Sequence, residues 1–308
     1  MWEIRPIRPE EDYPRVTALL NTVELQPLAI SDLFDDLQSL GEGDTLMETA
    51  AVDAAGQVIG YCDCRVRTFF RPGRWFIYIV VDPAHRGQGA GRQLYDQALA
   101  FARSGGAREV FTQVRDDLPD SVAFAERRGY RLERHIAESV LDLAAFSFTG
   151  PVEGAGLRLT TLAEVGNTPE NRRKLHALHQ ACARDNPSNV AVAFHSFEAY
   201  SREFFEAEWF RPEALFLAVD GDRFAAFTML RFSPGQESAY TAFTGVDREY
   251  RGRGLALAVK LSSIRYARKH GAVQMRTSND SENQPMLAVN QKLGYVKEPG
   301  TYRMVLTL

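Results

Sequence analysis

The sequence predicts an α/β protein in which a mixed sheet is built twice along the chain. Its 308 residues are enough for about two domains of ordinary size. A pattern of glycine-rich turns recurs at a constant spacing, which is typical of an internal repeat. Strand and helix signals alternate only in the later part of each half, so we expect a mixed sheet and not an all-parallel one.

The repeat is clearest at two glycine-rich turns. Residues 81–91 (VDPAHRGQGAG) and 246–256 (VDREYRGRGLA) share the same layout and stand 165 positions apart. The same spacing separates the Gly-Tyr pairs at 129–130 and 294–295. A spacing held over that distance predicts two copies of one supersecondary plan.

The boundary between the copies is expected in a polar segment that contains glycine and proline. Arg5 matches Arg158 at a spacing of 153, so the second half carries 12 additional residues before its glycine turn. Residues 147–156 (SFTGPVEGAG) have the composition of a linker. We therefore predict an N-terminal domain over residues 1–148 and a C-terminal domain over residues 149–308.

The elements of the first half follow from the spacing of its apolar residues. After the first glycine turn, apolar side chains recur at helical spacing from Leu94 to Ala102, and the helix is expected to end at the Gly105-Gly106 pair. Other helices are predicted at residues 9–24, 31–40 and 119–128, and strands at 2–8, 46–52, 58–69, 74–81, 110–114 and 130–143. The second half repeats this order, with Leu257, Leu261 and Ile264 on one helix face.

Composition argues against several functional classes. The formal net charge is −4, whereas nucleic-acid-binding domains are usually basic. No run approaches the ~18 apolar residues of a membrane span, and the N-terminus lacks a signal-peptide pattern. Cys62, Cys64 and Cys182 have no zinc-type spacing, so we expect reduced thiols and no metal. We predict a cytoplasmic protein without nucleic-acid or membrane partners.

Each glycine turn stands between a predicted strand and a predicted helix. Glycines there let a ligand approach the backbone closely, and the free N–H groups of the helix N-terminus suit an anion such as a pyrophosphate. The dinucleotide-binding spacing G-x-G-x-x-G is absent from both turns, as is the Lys-Ser/Thr ending of a P-loop. The alternative is an ordinary strand-to-helix turn without a ligand. The presence of two copies at a constant spacing argues against this alternative.

These motifs resemble those of the GCN5-related N-acetyltransferase (GNAT) superfamily. Its cofactor signature, Arg/Gln-x-x-Gly-x-Gly/Ala after a strand, is matched at residues 86–91 and again at 251–256. Residues 283–295 (NQPMLAVNQKLGY) look like the family's following helix and its Leu-Gly-aromatic ending, and residues 124–130 (FAERRGY) hold that place in the first half. The resemblance covers nearly the whole chain. With one copy in each half, the chain is similar to tandem GNAT proteins such as the mycothiol synthase group.

The resemblance implies an acetyl-CoA site in each half, with the pyrophosphate on the glycine turn and the pantetheine arm along the preceding strand. In the first half it assigns coenzyme A binding to Ile79, Val80, Val81, Arg86, Gly87, Gln88, Gly89, Ala90 and Gly91. In the second half it assigns this role to Thr244, Gly245, Val246, Arg251, Gly252, Arg253, Gly254, Leu255, Ala256, Asn283 and Asn290.

The implied reaction is transfer of an acetyl group from acetyl-CoA to an amine without a metal. A strand amide would polarise the thioester carbonyl as an oxyanion hole does. The acceptor is expected to be an amine of a small molecule or a peptide. The alternative is a non-catalytic protein that binds or senses acyl-CoA.

The catalytic acid and base are not assigned by the motifs. Many family members carry a tyrosine as the acid at a position that is Ala125 in the first half and Asn290 in the second. Asn290 is interpreted either as a pantetheine contact or as a structural amide. Tyr240 and Glu237, on or just before the strand that leads to the second glycine turn, are the candidate bases, although an aromatic residue in a strand is more often a core residue. A water molecule that carries the proton away is a further alternative.

The second half is expected to be catalytic and the first structural or regulatory. The second half alone has the polar series of residues 283–295, and it has the longer segment around residues 186–211. That segment is rich in aromatic residues, Phe194 among them, which are interpreted as core packing or as a wall of the acceptor cleft. Its interleaved carboxylates would favour a cationic acceptor, or form a solvated helix face. Because the duplication resembles a family dimer, the chain could act as a monomer.

Overall fold

The computed structural model contains two compact units. It describes residues 2–25, 27–150, 154, 156–186, 196–232 and 237–308. Unit 1 comprises Met1–His135 with Pro299–Leu308, and unit 2 comprises Ile136–Glu298. In the part of the chain that the structure describes, no helix is both long and apolar enough to cross a membrane.

Unit 1 contains a six-stranded mixed sheet with helices α1 to α4. Its helices are α1 (Pro9–Leu20), α2 (Ile30–Gln38), α3 (Ala90–Ser104) and α4 (Pro119–Glu126). Its strands are β1 (Trp2–Pro6), β2 (Thr45–Asp53), β3 (Val58–Val66), β4 (Arg74–Val81) and β5 (Glu109–Arg115), and the final strand of the chain adds residues 301–307 beside β5. Only β4 and β5 pair in parallel; the other neighbours are antiparallel.

The core of unit 1 lies between α3 and the sheet. Leu94, Ala98 and Ala102 are buried at intervals of four residues on α3, so they form one apolar stripe. They belong to one buried cluster with Trp75 and Ile77 of β4. The apolar face of α3, which begins directly after the glycine turn, therefore packs against the sheet.

Unit 2 has the same plan with a longer helical segment before its glycine turn. Its helices are α5 (Leu162–Val165), α6 (Pro169–Arg184), α7 (Phe197–Tyr200), α8 (Leu255–Lys269) and α9 (Gln284–Lys292). Its strands are β7 (Arg158–Thr161), β8 (Leu215–Asp220), β9 (Arg223–Phe232), β10 (Ser238–Val246) and β11 (Gln274–Asp280). Strand β6 (Arg131–Asp142) adds residues 136–142 beside β11, and strand β12 (Val296–Thr307) is the one that ends in unit 1. Only β10 and β11 are parallel.

The predicted α/β class and mixed sheet are confirmed. The predicted elements are present, with bounds that differ by a few residues: the strand expected over residues 58–69 ends at Val66, and the helix expected over residues 9–24 ends at Leu20. Cys62, Cys64 and Cys182 are free and buried.

The aromatic segment of unit 2 packs as core. Phe197, Tyr200, Phe204 and Phe205 belong to one apolar cluster with residues of α6 and β8 to β10. The interleaved carboxylates belong to exposed residues, as expected for a solvated helix face: Glu198, Glu203, Glu206 and Glu208. Phe194 lies outside the described residues, as does part of the linker.

The last strand of each repeat does not pair with the fifth strand of its own repeat. Strand β6 follows α4 in sequence but pairs with β11, and β12 follows α9 but pairs with β5. The compact units are therefore divided at residues 135/136 and 298/299. The domain limits 1–148 and 149–308 stay a prediction about the linear repeats.

Gly105, which ends α3, is a position where one methyl group should be costly. A Cβ atom there would lie 2.3 Å from the buried Trp75 ring, which itself packs edge-on against Phe101. We expect Gly105→Ala to lower the free energy of unfolding of unit 1 by about 2 kcal/mol or more, because the core must repack. Urea unfolding followed by tryptophan fluorescence measures this loss. Gly41→Ala is the matched control, since its Cβ would meet nothing closer than 3.8 Å; equal losses in both variants would contradict the prediction.

Candidate active sites

Each unit contains a gap between its two parallel strands. In unit 1, parallel pairs join Arg74–Phe76 of β4 to Glu109–Phe111 of β5, and both strands continue beyond the last pair. In unit 2, pairs join Ser238–Tyr240 of β10 to Gln274–Arg276 of β11, and these strands also continue. Beyond those pairs, the N–H and C=O groups on the facing strand edges are not bonded to the neighbouring parallel strand. Because buried backbone groups need hydrogen-bond partners, these groups are available to a ligand.

The glycine turn of unit 1 connects β4 to α3. Asp82 starts it by accepting a hydrogen bond from the Ala84 N–H at 2.9 Å, and the Arg86 Nε donates to the Val81 carbonyl oxygen at 3.0 Å. Gly89 has φ +104° and directly precedes α3. Only glycine adopts this left-handed backbone without strain, so the turn exposes the first N–H groups of the helix.

The glycine turn of unit 2 repeats this geometry. Asp247 accepts from the Glu249 N–H at 3.0 Å, and the Arg251 Nε donates to the Val246 carbonyl oxygen at 3.2 Å. Gly254, with φ +77°, directly precedes α8. In both units the arginine of the motif therefore holds the turn against the end of the strand.

Unit 1 contains a cavity of 580 Å³ between β4, β5, the glycine turn, α3 and α4. Eight of the nine residues predicted for coenzyme A in the first half line it. The exception is Gln88, whose amide donates to the Ala84 carbonyl oxygen. Five arginines line the cavity: Arg86, Arg92, Arg115, Arg127 and Arg128. Its wall thus combines the free N–H groups of a helix N-terminus, positive charge and apolar strand residues.

A buried polar cluster lies beside the parallel strands of unit 2. The Asn290 Nδ2 of α9 donates to the Asn279 Oδ1 of β11 at 2.7 Å, and Asn290 is 2% exposed. Lys260 of α8 is 1% exposed, and its Nζ lies 5.0 Å from the centroid of the Tyr295 ring. Burial lowers the pKa of Lys260 to about 7. Asn283 instead caps α9, with its Oδ1 3.4 Å from the Met286 N–H.

A second polar group of unit 2 includes Tyr240, the last residue of β10 that pairs with β11. The Tyr240 hydroxyl hydrogen-bonds to the Ser278 Oγ of β11 at 2.5 Å. Ser278 faces Glu138 of β6 in the antiparallel register. Burial raises the pKa of Glu138 to about 7, with Arg276 opposing and Glu298 adding to this shift. A carboxyl group with that pKa is suited to accept a proton near neutral pH.

The two candidate bases from the sequence have different positions. Burial raises the pKa of Tyr240, so its hydroxyl stays protonated at neutral pH and can donate a hydrogen bond but not act as a base. Glu237 is exposed just before β10, and its carbonyl oxygen accepts from the Val273 N–H.

Unit 1 has different chemistry at the equivalent of Glu138. The residue 165 positions later is Arg303 of β12, which faces Gln113 of β5 just as Glu138 faces Ser278 of β11. The strand pairing also places Phe76 where unit 2 has Tyr240. This face therefore carries a carboxyl group in unit 2 and a guanidinium group in unit 1.

Glu138 and Lys260 were missed from the sequence. Glu138 lies in a strand that the sequence assigns to the first repeat, so no local signal connects it to the second glycine turn. Lys260 had a signal: it interrupts an apolar run, LALAVKL, on the helix that follows that turn.

Known proteins with similar sequences and folds support this picture. Residues 13–130 and 175–295 each match the acetyltransferase (GNAT) family. Mycothiol acetyltransferase of Saccharomonospora viridis is 25% identical over 79% of this chain and 77% of its own, and that of Clavibacter sepedonicus is 28% identical over 70% and 68%.

Two solved structures share the fold over nearly the whole chain. A GCN5-related N-acetyltransferase from Sphaerobacter thermophilus superposes with a TM-score of 0.78 at 20% identity, over 99% of this chain and 95% of its own. A tandem GNAT protein from the clavulanic acid biosynthesis pathway gives 0.77 at 21% identity, over 100% and 98%. The chain therefore belongs to the acetyltransferase (GNAT) family, as a tandem member and an acetyl-CoA-dependent N-acetyltransferase.

Proposed function

We propose that unit 2 is catalytic and transfers the acetyl group of acetyl-CoA to the amine of a small-molecule acceptor. The observation that carries this proposal is Glu138, a carboxyl group with a pKa of about 7 beside Ser278 and Tyr240. An ammonium acceptor must lose a proton before or during attack, and a carboxylate can take it. Arg303, the equivalent in unit 1, has no basic lone pair at neutral pH.

Acetyl-CoA fits the chemistry of both glycine turns. The N–H groups at the start of α3 and of α8 favour a pyrophosphate, and the strand edges beyond the parallel pairs offer backbone groups to a pantetheine arm. In unit 1 the five arginines of the cavity add positive charge for the phosphates. We infer that unit 1 binds the same molecule in a structural or regulatory role.

In this mechanism the residues of unit 2 position the thioester and manage protons. The free strand edge of β10 holds the carbonyl group and polarises it. The acceptor nitrogen bonds to the carbonyl carbon as the carbon–sulfur bond breaks, and Glu138 accepts the proton that the nitrogen loses. The Tyr240 hydroxyl, already bonded to Ser278, stays protonated and can orient the acceptor by a hydrogen bond.

The acceptor is proposed from the relatives. They are named mycothiol acetyltransferases, after a small molecule. A small-molecule amine is therefore the first acceptor class to test, and the acceptor used by those relatives belongs in the panel.

An assay of thiol release tests this function. The protein is incubated with acetyl-CoA and a panel of amino acids, amino sugars, polyamines and peptides, with the free thiol measured by a chromogenic disulfide. We expect release that depends on at least one small-molecule amine, and acetylated product by mass spectrometry. Binding of acetyl-CoA without amine-dependent release would favour a sensing protein, which the absence of tyrosine at Ala125 and Asn290 makes the second candidate.

A further inference from the structure

Lys260 is buried in a way that requires an explanation. It lies in the middle of α8 and is 1% exposed, and among the described residues its Nζ contacts the face of the Tyr295 ring. Lysine is rarely buried without a partner, because its charge loses hydration. An apolar residue at this place would pack with less cost, so a structural role alone does not account for the amine.

Three buried polar atoms belong to Tyr295, which Lys260 contacts, and to two neighbours of Tyr295, Thr241 and Asn290. Among the described residues, the Thr241 Oγ1, the Asn290 Oδ1 and the Tyr295 hydroxyl are buried without a hydrogen bond of ordinary geometry. Buried polar atoms in a native structure are nearly always satisfied, so an orphaned group of them indicates a place for water or a ligand. Thr241 is the residue at which β10 leaves its pairing with β11, so the cluster stands at the head of the gap between the strands.

The internal repeat shows which way the cluster faces. Lys260, Asn290 and Tyr295 stand 165 positions after Tyr95, Ala125 and Tyr130, which all line the cavity of unit 1. Ile77, which follows Phe76 as Thr241 follows the equivalent Tyr240, lines it too. The polar set of unit 2 therefore occupies the positions that form the inner wall of the acyl-CoA cleft.

We propose that Lys260 is the proton donor for the departing thiolate of coenzyme A in unit 2. This inference rests on the proposed function of unit 2 as the catalytic unit. As the acceptor nitrogen bonds to the carbonyl carbon, the carbon–sulfur bond breaks and its electron pair stays on sulfur. The Lys260 ammonium group gives one proton to that sulfur, and Glu138 takes one from the acceptor nitrogen. Solvent later returns a proton to Lys260 and removes one from Glu138, so the net products are an amide and a thiol.

The acidity of Lys260 is appropriate to this role. With a pKa of about 7 it is partly protonated at neutral pH, and it is a stronger acid than a thiol of pKa ~8.5, so the transfer is downhill. Burial is the cause of this lowered pKa, and no charged side chain among the described residues contributes to it. The ionisable group beside it is Tyr295, whose pKa is raised by burial, with the nearby Thr241 hydroxyl opposing the rise.

Two variants of Lys260 test the inference. Lys260→Met keeps the volume and removes the proton, and Lys260→Arg keeps the charge on a group that hardly gives up a proton at neutral pH. We expect the methionine variant to lose about 100-fold in kcat, which is the usual size of such a contribution, with acetyl-CoA affinity changed less than threefold by calorimetry. We expect wild-type kcat to fall as pH rises through about 7, because the ammonium form is required, and both variants to lose this alkaline decline.

Lys269→Met is the matched control, since this lysine is exposed near the end of the same helix. Circular dichroism and thermal melting verify that all variants are folded. A methionine variant that keeps kcat within threefold of wild type and retains the alkaline decline would overturn the inference. If blocking the second glycine turn also leaves activity intact, the assignment of catalysis to unit 2 fails instead; if that block abolishes activity, only the role of Lys260 fails.

Discussion

Replacement of Gly254 by leucine is expected to abolish acetyl transfer, while the same replacement of Gly89 leaves most of it. Both glycines have a left-handed backbone at the start of a helix, with φ of +77° and +104°. A side chain there strains the backbone by about 1–2 kcal/mol and occupies the space in front of the free N–H groups. We expect at least a 100-fold loss of turnover for Gly254→Leu, because the proposed catalytic unit can no longer hold the pyrophosphate.

The two substitutions serve as controls for each other. They impose similar backbone strain in equivalent turns, so a general loss of stability would affect both. Calorimetric titration with acetyl-CoA is expected to give two sites in the wild type and one in each variant, and thiol release measures turnover. If folded Gly89→Leu protein loses activity and Gly254→Leu keeps it, unit 1 is the catalytic unit.

The Glu138→Gln variant is expected to lose about 100-fold or more in kcat, with acetyl-CoA binding unchanged. Glutamine has nearly the same shape as glutamate but cannot accept the proton of the acceptor amine. Because Glu138 must be ionised to act, wild-type activity should fall as pH drops below about 7. This acidic decline should be absent from the residual activity of the variant.

Stability separates this effect from unfolding. The pKa of Glu138 is higher in the folded protein than the ordinary value of 4.5, so its ionisation opposes folding as pH rises toward and through about 7. The glutamine variant should therefore be at least as stable as wild type at pH 8 by urea unfolding. Glu282→Gln, at an exposed carboxylate of the same unit, is the control for activity. Normal kcat in Glu138→Gln would contradict the proposed base.

The sequence predicts much of this fold because its strongest signals are local. The apolar stripe that includes Leu94 and Ala98 defines a helix whatever it packs against, and the glycine turns define where each such helix begins. Repetition at a spacing of 165 then indicates that one plan is used twice. These features depend on neighbours within a few turns of the chain, so periodicity is enough to find them.

By itself, the sequence determined the repeat, the α/β class, the two glycine turns and membership of an acetyltransferase family. The tertiary structure decided which polar groups meet. Glu138 stands beside Ser278 only because β6 pairs with β11 of the other repeat, and Lys260 meets Tyr295 only because the buried face of α8 packs against the residues that follow α9. Strand pairing and side-chain burial join residues far apart in the chain, and alternation along one strand shows its faces but not its partner. For that reason the candidate acid and base of unit 2 emerged from contacts and not from motifs.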